Sequence, residues 1–312
     1  MKYKKLGKNG PDVPVIGLGA WPIGGGMGSI DERTAVKTVQ AAIDRGITLI
    51  DTAQGYLESE QIIGKALRNG YRERCFLATK VSQDFSARGI EYALNRSLKL
   101  LGVEYVDLYQ VHRWDPEYPI EETMETISRF QKQGKIRYVG VSNFQVDQLQ
   151  QASHLAPVVS NQVNYNLFLR SIEKHMVPWC RRHGIGLMVH STLGKGILAG
   201  KYSRNHRFSE DDERSQFAQY HGENLKRYLD AVDDLKQLAS GRNAGIVEFA
   251  VAWVLRLPEV SCALVGAKNP GHLEAPAKAA EITLTQEELD QVERILASHN
   301  LEELAPFKSQ IV

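Results

Sequence analysis

The sequence predicts an α/β fold, a (β/α)8 TIM barrel with an N-terminal β-hairpin and two extra helices. Short apolar or β-branched runs alternate with helical patterns along most of the 312 residues. Ionisable side chains follow three of these runs, at or near their carboxyl ends. All strands of such a barrel are parallel, so these side chains converge on the face where barrels of this kind carry out chemistry.

A hairpin precedes the barrel, because the segments YKKLG and VPVIGLG flank the turn segment KNGPD. The eight predicted barrel strands are short and rich in apolar or β-branched residues, and they cover residues 15–19, 47–51, 75–80, 105–111, 137–142, 158–163, 185–189 and 261–265. Helices are predicted between them.

Helical periodicity is clearest over residues 31–45, 86–101 and 120–133, where apolar residues recur on one face. Asp31 and Ser86 are suitable N-caps for the first two of these helices. Glycines suited to end the three helices stand at Gly46, Gly102 and Gly134.

Two segments do not fit the alternation of eight strands with eight helices. One is a long loop with a helix near residues 192–240, and the other is a helix opened by a Thr285–Glu288 capping box. We expect both to be additions to the barrel, because no linker or low-complexity stretch divides the chain. The prediction is one domain over residues 1–312.

Composition excludes several classes of protein. The formal net charge is +1 and no basic stripe is present, so no nucleic-acid partner is expected. No stretch has the length of a membrane span and the first ten residues lack the apolar core of a signal peptide, so we expect a cytoplasmic protein without a membrane partner. The three cysteines are far apart and are expected to be reduced, and no metal site is expected. A monomer or small homo-oligomer is consistent with these features.

Two phosphate-binding motifs fail on spacing. Only three residues separate Gly196 from Gly200 in the segment GKGILAGKY, where a P-loop needs four. Pro22 or Ser29 stands where the third glycine of a Rossmann fingerprint belongs. A dinucleotide would therefore have to bind by another route.

Four residues at strand ends form a candidate catalytic set: Asp51, Tyr56, Lys80 and His112. A phenol with a pKa near ~10 is a weak acid, and a cation within a few ångström lowers such a pKa by about 1–3 units. Lys80 could supply this charge to Tyr56, and Asp51 could keep the lysine ionised. A neutral His112 could position a carbonyl oxygen beside the phenol, so the set suits proton transfer to an oxyanion.

Taken singly, these residues have simpler interpretations. Asp51 could bond to loop amides, Lys80 could be a solvated charge, and His112 could be an ordinary core histidine. Tyr56 could cover the barrel mouth. Trp21 and Trp114 follow the first and fourth strands and could form walls of a substrate pocket, although ordinary burial would also explain them.

Several characteristic segments occur along most of the chain: DTAQGY, SEQIIGKAL, LATK, RSLKLLGVEYVDLYQVH, QGKIRYVGVSNF, NQVNYN, GILAGKY and LVGAKNP. In these segments and in their order the chain resembles the aldo-keto reductases, and its layout is most similar to their bacterial branch. The resemblance implies a (β/α)8 barrel that reduces aldehydes and ketones with NADPH. Because the adenosine end departs from the family pattern, we expect a modest preference for NADPH, with NADH as a weaker alternative. The resemblance also implies that Tyr56 is the general acid, that Asp51 and Lys80 tune it, and that His112 orients a small carbonyl substrate.

The resemblance further implies a set of cofactor-binding residues. Ser142, Asn143 and Gln162 match the positions that hold the nicotinamide carboxamide, and residues 191–201 would follow the pyrophosphate. The full set consists of Ser142, Asn143, Gln162, His190, Ser191, Leu193, Gly196, Lys201, Gly266, Lys268 and His272. Lys268 matches the position that binds a 2′-phosphate.

The sequence departs from the family pattern at a few positions. His190 replaces an aromatic residue that stacks on the nicotinamide, and Thr192 replaces a common proline. Leu57 replaces a glycine after Tyr56. At the adenosine end, His272 replaces Gln or Arg and Pro276 replaces Asn. If His272 acts as a cation there, the preference for NADPH should grow as the pH falls from 8 toward 6.

Two alternatives to a carbonyl reductase remain at this stage. Potassium-channel β subunits resemble the same family, so the chain could be a module that binds the cofactor and reports redox state. A Schiff-base enzyme could use Lys80 as a nucleophile, but a neighbouring Asp51 would keep that lysine protonated.

Overall fold

The computed structural model of the protein describes residues 1–210 and 212–301. Asp211 and residues 302–312, which belong to the expected single domain, lie outside the described residues. The first two strands, β1 (Tyr3–Lys5) and β2 (Asp12–Pro14), pair antiparallel and form the predicted hairpin.

Eight further strands close into a parallel barrel, which confirms the predicted fold class. In chain order they are β3 (Ile16–Gly19), β4 (Leu49–Asp51), β5 (Phe76–Val81), β6 (Val106–Val111), β7 (Ile136–Ser142), β8 (Val158–Asn164), β9 (Gly186–His190) and β10 (Val260–Gly266). Each strand pairs with its neighbours in this order, and β10 closes the barrel by pairing with β3. The continuous run VPVIGLG is divided between the hairpin and the barrel.

Helices surround the barrel. Those in the described part of the chain are α1 (Glu32–Asp44), α2 (Ser59–Ala66), α3 (Ala87–Leu101), α4 (Ile120–Lys132), α5 (Val146–Leu155), α6 (Met176–His183), α7 (Gly222–Gly241), α8 (Ile246–Leu255), α9 (Glu274–Ala279) and α10 (Gln286–Ser298). The predicted additions are α7, which precedes the barrel helix α8, and α10, which follows α9. Within residues 1–210 and 212–301, no helix is both long and apolar enough to cross a membrane.

Local side-chain bonds explain where several helices begin. Asp31 accepts a hydrogen bond from Thr34 N, and Ser86 accepts one from Gly89 N. The predicted capping box of α10 is present, with reciprocal bonds between Thr285 and Glu288. These bonds satisfy amide groups that have no partner inside the helix.

The barrel interior is apolar at its amino-terminal end and polar at its carboxyl end. The apolar part combines barrel residues with two hairpin residues, and its buried members are Leu6, Val13, Leu49, Ala78, Leu108, Val159, Met188, Cys262 and Leu264. Ser261 Oγ donates to Lys5 O and fixes the hairpin across this end. The polar part begins two residues further along three of these strands, with the side chains of Asp51, Lys80 and Gln110. The barrel therefore presents its polar groups at the face predicted to be functional.

Candidate active site

A buried ion pair lies at the centre of the polar layer. Lys80 Nζ donates to Asp51 Oδ2 at 2.6 Å and to Thr52 O at 2.8 Å. It also donates to the Tyr56 hydroxyl oxygen at 3.5 Å. Burial lowers the pKa of Lys80, but Asp51 and Tyr56 together raise it above its ordinary value. Lys80 is therefore an ammonium group with three acceptors.

Two glutamine side chains hold the other oxygen of Asp51. Gln162 Nε2 donates to Asp51 Oδ1 at 2.8 Å, and Gln110 Nε2 donates to the same oxygen at 3.1 Å. Gln162 Nε2 also donates to Gln110 Oε1 at 3.2 Å. All three side chains are buried. The carboxylate is thereby held between one cation and two amides, as a buried charge requires.

Tyr56 lies in the turn between β4 and α2. Its amide donates to Ala53 O, and its carbonyl accepts from Ser59 N. Its ring packs edge-on against Trp21 and His112, with centroid separations of 5.2 and 5.6 Å. Desolvation raises the pKa of Tyr56, and the opposing effect of Lys80 does not reverse the rise. The net lowering expected from the sequence is therefore not found, and the phenol keeps its proton.

His112 follows β6 and is 5% exposed. Its Nδ1 lies 2.8 Å from Ser82 Oγ, and its backbone oxygen accepts from Asn143 Nδ2 at 3.2 Å. Burial lowers its pKa well below the ordinary value, with smaller contributions from Lys80, His190 and Arg113. The imidazole is therefore neutral at physiological pH.

A cavity of about 510 Å³ opens above this layer. It is lined by most of the side chains singled out in the sequence, namely Trp21, Asp51, Tyr56, His112, Ser142, Asn143, Gln162, His190, Ser191, Leu193, Gly196, Lys201, Gly266, Lys268 and His272. Lys80 lies beneath the wall, buried under Tyr56. Trp114 does not line the cavity and packs edge-on against Phe144, so its role in a substrate pocket stays a prediction.

The segment after β7 is held by bonds within the site. Ser142 Oγ donates to Gln162 O at 3.0 Å, and Asn143 Nδ2 donates to Ser142 Oγ at 3.0 Å. Asn143 adopts a left-handed backbone, with φ of 59°. Its Oδ1 lies 3.2 Å from His190 Nε2. Burial, with Lys80 and Lys195, lowers the pKa of His190 to about 3.

The loop after β9 has an unusual backbone. Five of its residues have positive φ, and two of them, Ser191 and Lys195, are not glycine. Left-handed backbone at such residues costs free energy and concentrates at functional sites. Lys195 Nζ donates to Glu213 Oε2 at 2.7 Å, and Trp21 Nε1 donates to Glu213 Oε1 at 2.9 Å. Glu213 thus connects the loops after β3 and β9 beside the cavity.

The adenosine-end residues follow β10. Lys268 Nζ donates to the backbone oxygen of Met27, in the loop after β3. His272 is contacted at both ring nitrogens, by the Lys268 amide at 3.4 Å and by Asn269 Nδ2 at 3.1 Å. Burial lowers the pKa of His272, and Lys201 and Lys268 add to the effect. The structure therefore favours a neutral His272.

Known proteins resemble this chain in sequence and fold. The sequence model of the Aldo/keto reductase family matches residues 15–297. The chain is 40% identical to the aldo-keto reductase YhdN of Bacillus subtilis, with 95% of this chain and 94% of that protein covered. It is 30% identical to the probable aldo-keto reductase 1 of Glycine max, over 92% and 87% of the two chains.

This chain belongs to the aldo/keto reductase family. Two solved structures agree with the assignment. The glycerol dehydrogenase AKR11B4 from Gluconobacter oxydans superposes with a TM-score of 0.88 at 34% identity, covering 99% of this chain and 98% of that one. The thermostable aldo-keto reductase Tm1743 gives a TM-score of 0.78 at 32% identity, covering 95% and 100%. Family and fold support an oxidoreductase that reduces carbonyl groups, and aldo-keto reductases generally use nicotinamide cofactors.

The cavity of this aldo-keto reductase has the charges that a dinucleotide requires. Four cationic side chains line it, at Lys195, Lys201, Arg214 and Lys268. Phosphate oxygens bind preferentially to such groups. Ser142, Asn143 and Gln162 line the same cavity beside the catalytic candidates. Their polar groups could form hydrogen bonds with the carboxamide of a nicotinamide. The residues present therefore fit a nicotinamide dinucleotide.

Several residues of the site were missed from the sequence. Gln110 lies two positions before His112, and Ser82 lies two positions after Lys80. Because alternate residues of a strand face the same side, this spacing could have predicted both. Glu213 and Arg214 were not predicted, because they lie in a short 3-10 helix (Glu213–Gln216) far along the chain from any barrel strand end and without hydrophobic periodicity. Arg214 donates to Tyr202 Oη at 2.6 Å and to Lys195 O at 3.0 Å, and so supports the loop after β9.

Proposed function

We propose that this protein reduces aldehydes or ketones to alcohols with NADPH, and that Tyr56 donates the proton. NADH is proposed as a weaker cofactor. One observation carries the proposal: a protonated phenol lines the cavity with its oxygen 3.5 Å from a buried ammonium group. A small carbonyl compound is the proposed substrate.

The cofactor would be held by residues that line the cavity. Ser142, Asn143 and Gln162 would bind its carboxamide, and His190 would lie against the nicotinamide. Lys195 and Lys201 would face the phosphates, together with the backbone of Ser191, Leu193 and Gly196, and Lys268 would bind the 2′-phosphate near Gly266 and His272. When bound, this cofactor would be the source of the hydride for reduction of the carbonyl group.

Tyr56 is suited to donate a proton to the carbonyl oxygen. Its raised pKa keeps the hydroxyl protonated before reaction. Lys80 contacts the same oxygen as a donor, so the ammonium stabilises the negative charge that develops when the proton leaves. Asp51 fixes Lys80 in this position.

His112 would orient the substrate. The ring lines the cavity beside Tyr56, and its low pKa keeps it neutral. A neutral imidazole can donate one hydrogen bond to a carbonyl oxygen without transferring a proton.

The contacts of Lys80 oppose a Schiff-base mechanism. An amine attacks a carbonyl only with a free lone pair, whereas Lys80 has a raised pKa and donates to three acceptors. A nucleophilic role would need the ion pair with Asp51 to break. We therefore keep reduction as the proposed activity.

The decisive experiment uses Tyr56→Phe. Loss of a positioned proton donor should lower kcat for an accepted aldehyde by about 10²–10⁴-fold. NADPH binding, followed by fluorescence titration, should be unchanged. Tyr92→Phe is the matched control, since Tyr92 is 67% exposed on α3. Near-normal turnover by Tyr56→Phe would refute the assignment, and very slow wild-type turnover with tightly retained cofactor would favour a redox-sensing module.

We further propose a cytoplasmic protein that acts as one domain over residues 1–312, as a monomer or small homo-oligomer. Analytical ultracentrifugation and limited proteolysis test the assembly and the domain organisation.

A further inference from the structure

The imidazole of His112 has one nitrogen held by the protein and one available to the cavity. Nδ1 lies 2.8 Å from Ser82 Oγ. Among the described residues, no hydrogen bond reaches Nε2. The ring lines the cavity, so Nε2 is the nitrogen left for a carbonyl oxygen. Whether it can donate depends on which nitrogen carries the single proton of the neutral ring.

The contacts of Ser82 decide that question. Its Oγ accepts a hydrogen bond from Gly55 N at 3.2 Å. Its hydroxyl hydrogen has no acceptor other than His112 Nδ1 among residues 1–210 and 212–301. Ser82 is 1% exposed, so its hydroxyl is shielded from bulk solvent. If His112 carried its proton on Nδ1, the serine hydroxyl would be a buried donor without a partner, which is unfavourable.

The backbone holds Ser82 in place for this bond. Its amide donates to Gln54 Oε1 at 3.0 Å, and its carbonyl accepts from Arg113 Nη1 at 2.9 Å. The His112 amide donates to the adjacent Val81 O at 3.1 Å. Ser82 and His112 are therefore fixed directly after the ends of neighbouring strands, β5 and β6, with little freedom to exchange partners.

We propose that Ser82 is a positioning residue that fixes His112 as the tautomer with its proton on Nε2. In this form Nε2 donates to the substrate carbonyl oxygen, while Nδ1 accepts from the serine hydroxyl. The opposite tautomer would present a lone pair to the carbonyl oxygen and repel it. The inference rests on the proposed role of His112 in carbonyl reduction, and it assigns to Ser82 an effect that acts only through that ring.

Nitrogen-15 NMR of histidine-labelled wild-type protein tests the tautomer directly. The His112 signals are assigned by their loss in His112→Gln. Between pH 6 and 8 we expect an unprotonated Nδ1 and a protonated Nε2. A protonated Nδ1 would overturn the proposal, and this measurement does not require any Ser82 variant to fold.

Kinetics test the functional consequence. Ser82→Ala should lower kcat/KM for an aldehyde by about 3–10-fold, the usual effect of one neutral hydrogen bond. Ser82→Thr, which keeps the hydroxyl, should restore most of the activity. The matched control is Ser160→Ala, because the Ser160 hydroxyl is also buried but has no hydrogen-bond partner among the described residues. NADPH affinity should be unchanged in all three.

A double-variant comparison separates positioning from a general structural role. In a His112→Gln background, Ser82→Ala should cause no further loss of kcat/KM, because its effect acts through the ring. An equal loss in both backgrounds would overturn the proposal. Wild-type activity of Ser82→Ala alongside an inactive Tyr56→Phe would also overturn it, while leaving the proposed reductase function intact. An active Tyr56→Phe would instead refute that function.

Discussion

Lys80 Nζ and Asp51 Oδ2 lie 2.6 Å apart inside the barrel, and their side chains are 0% and 2% exposed. Each of these two buried charges is stabilised by the other. Removal of one would leave the second as an unpaired charge in a medium of low polarity. The pair therefore contributes to stability as well as to the proposed chemistry, and the two roles can be separated experimentally.

Removal of either charge alone should destabilise the protein strongly. We expect Lys80→Met to lower the free energy of unfolding by about 3–5 kcal/mol, since Asp51 would remain buried without its cation. Asp51→Asn combined with Lys80→Met should lose less than the sum of the two single losses. Urea unfolding at pH 7 measures all four proteins. Strict additivity would show that the ion pair has no energetic coupling.

Lys268 should affect NADPH more than NADH. Its ammonium contacts Met27 O and lines the cavity, where a 2′-phosphate would provide a stronger, charged acceptor. Lys268→Ala should therefore reduce kcat/KM with NADPH by about 10-fold or more and leave NADH use nearly unchanged. Steady-state kinetics with both cofactors provide the measurement. Equal losses for both, or a native preference for NADH, would show that Lys268 does not bind the phosphate.

The pH dependence of cofactor preference should be flat near neutrality. A cationic His272 would increase the preference for NADPH as the pH falls from 8 toward 6. In the structure, however, the pKa of His272 lies below its ordinary value, so the ring is neutral throughout pH 7–8. The ratio of kcat/KM for the two cofactors should therefore stay within about 2-fold over this range. A steep increase would show that bound phosphate raises the pKa of His272.

His190 should make the protein less stable in mild acid. Its pKa is about 3 in the folded protein and ordinary in the unfolded chain, so the unfolded chain binds the extra proton between these values. Stability should accordingly be complete above about pH 6.5 and fall at lower pH by up to about 1.4 kcal/mol per unit.

His190→Gln should reduce that decline, because glutamine does not titrate. Urea unfolding at pH 7, 6 and 5 measures the slope, with the exposed His154→Gln as control. An unchanged slope in His190→Gln would show that this histidine is not the source.

An α,β-unsaturated ketone should be reduced at its carbonyl group. The resemblance to aldo-keto reductases implies that members reducing the carbon–carbon double bond of steroids would carry an acidic residue where His112 stands. A neutral imidazole instead provides a donor suited to a carbonyl oxygen. Product analysis should find the unsaturated alcohol, and a saturated ketone as the main product would contradict the role given to His112.

Strand alternation and chain order were sufficient to predict much of the site. The convergence of Asp51, Lys80 and His112 follows from parallel strands that end at one face. The bond between Lys268 and Met27 could not be predicted, because it joins positions 241 residues apart through the conformation of a loop. The role of Glu213 could not be predicted either, because its bonds to Trp21 and Lys195 join loops that are distant in sequence. The direction of the Tyr56 pKa also needed the structure, since it depends on how burial compares with the attraction of Lys80.

The N-terminal hairpin imposes an order on the folding of the nascent chain. Lys5 and its hydrogen-bond partner Ser261 are 256 positions apart, and Leu6 and Val13 pack beside Cys262 and Leu264. The hairpin thus meets these partners only after the barrel strands that lie between them in the chain, β3 to β9, have been synthesised. Until then its apolar side chains have no native surface to cover them, and contacts of such separation form slowly. Closure of the barrel and attachment of the hairpin consequently both wait for the synthesis of β10.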